Sequence, residues 1–177
     1  MPVPDFSPGE VLTAAAMDSI GLWLISTTTI GSGVTSVPVN NCFSSNYDNY
    51  RIEIYADSSN GTASHELQLN GNTTNYYING SIYAWTSATI TGYGPAVRTN
   101  WVLDANTGAS SSSYVTVELK NPFATRRTFG YSFGQAANGN SMFNLLNINT
   151  TSSTGFTLSK AGNTMTGGTI RVYGYRN

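Results

Sequence analysis

The residue types that carry most enzyme chemistry are scarce in this chain. Its 177 residues include one histidine (His65), one cysteine (Cys42), and 8 lysines plus arginines against 9 acidic residues. Charged side chains make up 10% of the sequence, compared with roughly 25% in an ordinary soluble domain. One histidine and one cysteine cannot form a zinc site alone, and we expect no metal or other cofactor. The composition therefore predicts a protein that makes contacts and is not an enzyme.

One stretch, residues 130–134, matches the G-x-S-x-G motif of serine hydrolases, with Ser132 at its centre. That motif requires a strand, a sharp turn and a helix, with the catalytic histidine later in the chain. Here the flanking residues alternate like a β-strand, no helical pattern follows, and His65 precedes Ser132. A triad in another chain order occurs on other folds, but the pattern favours an ordinary strand.

Paired carboxylates suited to glycoside hydrolysis are the second enzymatic alternative. Glu53, Glu66 and Glu118 fall on outward positions of predicted strands, where we expect them to be solvated. Residues 57–61, Asp-Ser-Ser-Asn-Gly, lack the ligand spacing and distal glutamate of a calcium loop. The Asn-Gly pair predicts a hairpin turn there.

The elements that must position any site are strands from residue 22 onward. Alternation and turn residues predict roughly ten of them. The segments are 23–30, 34–39, 50–55, 66–70, 81–85, 100–103, 114–120, 128–133, 144–148, 156–158 and 169–175. Within 50–55, Tyr50, Ile52 and Ile54 should point inward. Because no crossover helix separates the strands, we expect an all-β fold, an antiparallel, jelly-roll-like β-sandwich over residues 22–177.

We predict that residues 1–21 form a separate N-terminal arm with a short helix. Ser7 is a candidate N-cap with Glu10 completing a capping box, and Thr13 is a rival N-cap. A helix of two or three turns is marginal alone, so its apolar side chains need a partner. We predict a docking arm that contacts a partner through Phe6, Val11, Leu12 and Ile20. The alternative is a terminal segment folded back on its own domain.

Aromatic residues are the positive signal for contact, since tyrosine and tryptophan dominate protein-binding hot spots. The chain has 11 tyrosines and 3 tryptophans. The residues that we predict for surface contact are Tyr76, Tyr77, Tyr83, Trp85 and Tyr93. The alternative is that most of these rings fill the core and the contacts between subunits.

Charge and hydropathy limit the classes of partner that we expect. The only adjacent basic pair, Arg126 and Arg127, predicts a solvated turn, so we expect no nucleic-acid partner. No apolar run reaches 18 residues, so we expect no membrane span. The N-terminal residues lack a signal-peptide pattern, which predicts synthesis in a cytoplasm. Charged residues that would protect strand edges are sparse, which favours closed symmetric assembly, and we expect a homotrimer.

Several stretches resemble the small trimeric β-sandwich virion surface proteins of tailed bacteriophages. They are Gly-Glu-Val-Leu-Thr-Ala at 9–14, residues 43–52, Asn121-Pro122 after a strand, and Gly-x-Ile-x-Val-Tyr-Gly at 168–174. The resemblance implies a virion structural protein. The first expectation is a capsid decoration (cement) protein that binds the major capsid protein or another virion protein and touches host surface glycans. The alternative is a tail-fibre or spike-tip module for host attachment.

Overall fold

The computed structural model describes residues 21–94, 97–104 and 108–175. These residues form strands and no helix, which confirms the all-β prediction for this part of the chain. No described segment is a helix long and apolar enough to cross a membrane. The arm predicted for residues 1–21 lies outside the described residues, apart from Gly21. The strands are β1 (Trp23–Thr29), β2 (Ser36–Val39), β3 (Asn49–Ser59), β4 (His65–Leu69), β5 (Tyr76–Ala84), β6 (Ile90–Tyr93), β7 (Trp101–Val102), β8 (Ser113–Lys120), β9 (Thr128–Ala136), β10 (Gly139–Asn147), β11 (Phe156–Lys160) and β12 (Met165–Tyr175).

The strands build two antiparallel sheets that pack as a β-sandwich. The large sheet has eight strands in the order β1-β12-β3-β8-β9-β10-β5-β6. The small sheet has four, in the order β2-β11-β4-β7. Every pair of neighbouring strands is antiparallel, as expected when short connections without helices join the strands.

The core lies between the two sheets. Tyr50, Ile52 and Ile54 of β3 are fully buried, as their alternation predicts. They form one cluster with side chains of the small sheet such as Leu158. The bulkiest core side chain is Trp101, which stands edge-on to Tyr76 at 5.0 Å between ring centroids. The sandwich is therefore held by apolar side chains from both sheets.

The prediction of a hairpin turn at residues 57–61 is wrong. β3 belongs to the large sheet and β4 to the small one, so this connection crosses between the layers. The Asn60 side chain accepts a hydrogen bond from the Thr164 backbone N–H at 2.8 Å, and the Asn60 N–H donates to the Thr164 carbonyl at 3.3 Å. The Asn-Gly pair thus forms a corner that is tied to the loop before β12.

Candidate contact interface

Strand β9 places its aromatic residues outward and its small residues inward. Phe129 and Tyr131 are half exposed, whereas Ser132 is buried within the sandwich. A Cβ atom at Gly134 would lie 2.5 Å from the Cβ of Asp104, so the inner side of β9 has no room for a larger residue. The usual rule of apolar side chains inside is therefore inverted on this strand.

Exposed large hydrophobic side chains collect on one surface, the outer face of the large sheet. Of the eleven such residues in the described part of the chain, eight share this face by strand register. The eight are Leu24, Tyr55, Tyr83, Ile90, Tyr114, Phe129, Tyr131 and Met142. A concentration of exposed apolar side chains on one face is typical of an interaction site, whereas single exposed hydrophobic residues are ordinary. We call this surface the outer face.

Charge divides the outer face into two halves. The half formed by β12, β3 and β8 carries the charged residues Arg51, Glu53, Asp57, Glu118, Lys120 and Arg171. The half formed by β9, β10, β5 and β6, all of whose residues are described, carries no charged side chain. Asn144 and Asn79 of this uncharged half bond to each other across the strands at 3.0 Å. A neutral aromatic surface avoids the desolvation cost that buried charges impose on an interface.

A network of polar side chains makes the charged half rigid. The Glu118 carboxylate, 2% exposed, accepts hydrogen bonds from Arg51 Nε at 2.5 Å and from the Tyr175 hydroxyl at 2.7 Å. Burial, followed by the bond to Glu118, raises the pKa of Tyr175. Lys120 Nζ donates to the same tyrosine at 3.2 Å. The expectation that Glu118 is solvated is wrong, because neighbouring strands supply partners that cover it.

The outer face of the small sheet is different in character. Its outward residues are Ser36, Pro38, Thr157, Ser159, Glu66 and Gln68. Glu66 is half buried and accepts a hydrogen bond from Asn100 Nδ2 at 2.8 Å, and burial raises the pKa of its carboxyl. No aromatic side chain stands on these strands' outward positions. The two outer faces therefore differ enough for one to serve as an internal control for the other.

The residues considered for nucleophilic catalysis lie inside the sandwich. His65 is 1% exposed, and its Nδ1 lies 2.6 Å from Asp104 Oδ2, while its backbone N–H donates to Asp104 Oδ1 at 2.8 Å. Ser132 lies within β9, as the strand interpretation predicts, and its hydroxyl is buried. Burial lowers the pKa of Lys160, which pairs with His65 across strands β11 and β4, and the Asp104 charge opposes that change. A substrate in solution cannot reach these groups, and the His65–Asp104 pair joins β4 to the segment after β7.

Metal ligands do not cluster in the described residues. No three histidine, cysteine, aspartate or glutamate side chains of the described ranges are placed to hold an ion. Of the three glutamates considered for paired acid and base chemistry, Glu66 belongs to the small sheet, whereas Glu53 and Glu118 lie on neighbouring strands of the large sheet. The grooves found on the described surface are shallow, and the one on the uncharged half is lined by Tyr77, Asn79, Phe129, Asn144 and Leu146.

The predicted contact residues do not all reach the surface. The prediction that Tyr76 makes surface contacts is wrong. Its side chain is completely buried, and its hydroxyl accepts a hydrogen bond from the Leu69 N–H at 2.8 Å. Tyr93 turns inward and packs on Phe143 with ring centroids 5.0 Å apart, because its partner in the register is Gly80, which leaves space for the ring. The arm residues Phe6, Val11, Leu12 and Ile20 lie outside the described residues.

Three predicted contact residues do lie at the surface. Tyr77 and Tyr83 point to the outer face from β5, and Trp85 follows directly, 57% exposed. The sequence interpretation missed Phe129, Tyr131, Tyr114 and Met142. Their signal was present in β9, where aromatic residues at every second position alternate with glycine and serine. That alternation shows that the two faces of the strand differ, but it does not show which face is buried in the core.

Comparisons of the chain with protein-family models, with curated proteins and with solved structures find no match.

Proposed function

We propose that this chain is a non-enzymatic structural protein of a bacteriophage virion, a capsid decoration protein that binds the assembled head through the outer face. The observation that carries the proposal is the collection of exposed aromatic and aliphatic side chains on that face. The resemblance of residues 9–14, 43–52 and 168–174 to phage virion surface proteins supplies the phage context. The buried His65 and Ser132 leave no accessible nucleophile–base pair at those positions.

The outer face is large enough for stable docking. Eight strands at about 4.8 Å spacing span roughly 38 Å. The three outward rows other than the one that holds Tyr55, Tyr114 and Tyr83 extend about 20 Å along the strands, giving roughly 760 Å² in projection. A standard protein interface buries about 800 Å² on each partner. Docking would cover the half-exposed rings of Phe129 and Tyr131 and the Met142 side chain. A protein that binds only the assembled shell stabilises that shell by mass action.

The proposal includes a homotrimer, a helical docking arm over residues 1–21 and a jelly-roll-like connectivity of the sandwich. Two outermost strands of the large sheet, β1 and β6, carry no charge and no proline along Trp23–Thr29 and Ile90–Tyr93. Charges and prolines are the common means of preventing edge-to-edge association. Pairing of neighbouring subunits along these edges would close a ring, and the arm would supply a second anchor on the shell.

Copy number per virion tests the proposal. In purified virions of the phage that encodes the chain, gel densitometry should find the protein in hundreds of copies, and labelling should place it on the head. A few dozen copies or fewer would contradict the decoration role and favour the tail-fibre module. Deleting residues 1–21 should release the protein from virions while the purified sandwich still melts cooperatively. Undiminished attachment of the truncated protein would show that the arm is not an anchor.

A further inference from the structure

One end of the outer face differs from the rest in its chemistry. The outward residues that pair across β3, β8, β9, β10 and β5 at this end are Tyr55, Tyr114, Gln135, Asn140 and Tyr83, in that order. We call this set the end row. Two adjacent carboxamides lie between aromatic rings, and none of the five side chains is charged. Cross-strand neighbours on one face lie about 5 Å apart, so these groups form one continuous strip.

A shallow groove runs along the part of the end row that Tyr55, Tyr114 and Gln135 form. It has a volume of about 570 Å³ and is lined by Tyr55, Tyr114 and Gln135, by the four serines at 110–113, and by residues 136 and 137. The serine segment is tied in place, because the Ser110 N–H donates to the Ser59 carbonyl at 2.9 Å. Two aromatic rings, one carboxamide and several serine hydroxyl groups therefore line this open groove together.

Trp85 follows β5 two residues after Tyr83 and bonds to the end of β9. Its indole Nε1–H donates to the Ala136 carbonyl at 2.8 Å, while 57% of the side chain is exposed. That bond fixes the ring relative to the turn between β9 and β10 and leaves much of its surface open to solvent. A ring that is already immobile loses little conformational entropy when a ligand stacks on it.

We propose that the end row is a carbohydrate-binding groove for a neutral oligosaccharide. Sugar rings present a face of C–H groups with partial positive charge, which packs on the negative face of an aromatic ring. Their hydroxyl groups both donate and accept hydrogen bonds, as do the carboxamides and serine hydroxyls of the groove. The inference rests on the proposed function and places the end row outside the docked area, at the rim of the outer face, where a protein on the virion surface meets the glycans of the host cell.

The geometry favours a chain of several sugars over a single one. From Tyr55 to Tyr83 the end row crosses four strand spacings, roughly 19 Å. Neutral residues along that length give no electrostatic preference for sialylated or sulfated sugars. Asp57, the next outward residue of β3, lies at the rim and would repel anionic groups while accepting hydrogen bonds from neutral hydroxyls.

Binding of the purified protein to an array of neutral oligosaccharides of hexoses and N-acetylhexosamines, printed beside sialylated and sulfated ones, tests the inference. We expect binding confined to neutral chains, followed by calorimetry on the best of them. Tyr114→Ala and Gln135→Ala should each weaken that binding about tenfold. Tyr114→Phe, which keeps the ring, should bind within about threefold of the original protein. Phe129→Ala, in the central part of the outer face, is the matched control and should leave glycan binding unchanged.

The two proposals fail in different ways. Absence of glycan binding at millimolar concentration, or binding only to anionic glycans, would overturn the groove. Loss of head binding by Tyr114→Ala without any glycan binding would also overturn it and assign the end row to protein docking. Because Tyr114 and Gln135 lie on the surface, both variants should keep the melting temperature of the original protein. A Phe129→Ala variant that binds heads normally would instead count against the proposed docking face.

Discussion

Truncating Phe129 should weaken binding of the protein to phage heads by a predictable amount. The side chain is 50% exposed and lies on the uncharged half of the outer face. An aromatic side chain offers about 200 Å², so about 100 Å² is available for burial by a partner. At about 25 cal/mol per Å² that area contributes about 2.5 kcal/mol. Phe129→Ala should therefore raise the Kd by up to about 60-fold, and by about tenfold if the partner covers only half of that area.

The assay is cosedimentation of labelled protein with heads from a phage whose copy of the gene is deleted. Thr157→Ala, on the outer face of the small sheet, is the matched control and should bind within about twofold of the original protein. Both variants change surface residues, so the free energy of unfolding should move by about 0.5 kcal/mol or less. If Phe129→Ala folds normally and its Kd also stays within twofold, the outer face is not the docking surface.

Three further predictions concern the sandwich itself. Glu118→Ala removes the buried acceptor of the Arg51 and Tyr175 bonds and should cost about 1–3 kcal/mol in denaturant unfolding, whereas Glu53→Ala on the same face should cost about 0.5 kcal/mol or less. Equal losses would refute the role of the network. Gly130→Ala would drive a Cβ into the Glu118 carbonyl oxygen and should cost about 2–3 kcal/mol. Gly92→Ala meets open space and should be nearly neutral, so a similar loss there would contradict the packing argument. Burial raises the pKa of Cys42 from 9.0 to about 12, leaving a thiolate fraction of about 10⁻⁴ at pH 8. Iodoacetamide should then label Cys42 only as the protein unfolds, and rapid labelling of the native protein would refute its burial.

Much of the fold could be predicted because strand formation depends on local patterns. The alternation of Tyr50, Ile52 and Ile54 identifies β3 and its inner side, and the structure confirms both. The lack of crossover helices predicts antiparallel sheets, which the described residues also show. The sequence could not show which sheet each strand joins. Asn60 and its glycine neighbour fit a hairpin turn locally, but in the structure they form a corner between the two sheets. A short turn motif does not determine which distant strand the next segment will pair with.

The candidate interface was only partly predictable from the sequence. Tyr83 and Trp85 were identified as contact residues and lie at the surface, whereas Tyr76, with the same chemistry, is a core residue. A tyrosine fits both places, because its ring is apolar and its hydroxyl can bond either water or a backbone group. The burial of Tyr76 depends on Trp101, which lies 25 residues further along the chain and packs against it.

The sequence by itself determined a neutral, β-rich chain whose residues alternate in type along each strand. Only the tertiary structure decided which side of the alternation meets solvent. In β9 the close approach of Asp104 to Gly134 leaves space for small residues alone on the inner side, so Phe129 and Tyr131 must face outward. Alternation is a property of one strand, whereas the choice of inner face depends on what the opposite layer presents. The tertiary structure thus shows where the low charge of the chain matters: it leaves an uncharged aromatic surface on four strands of the large sheet.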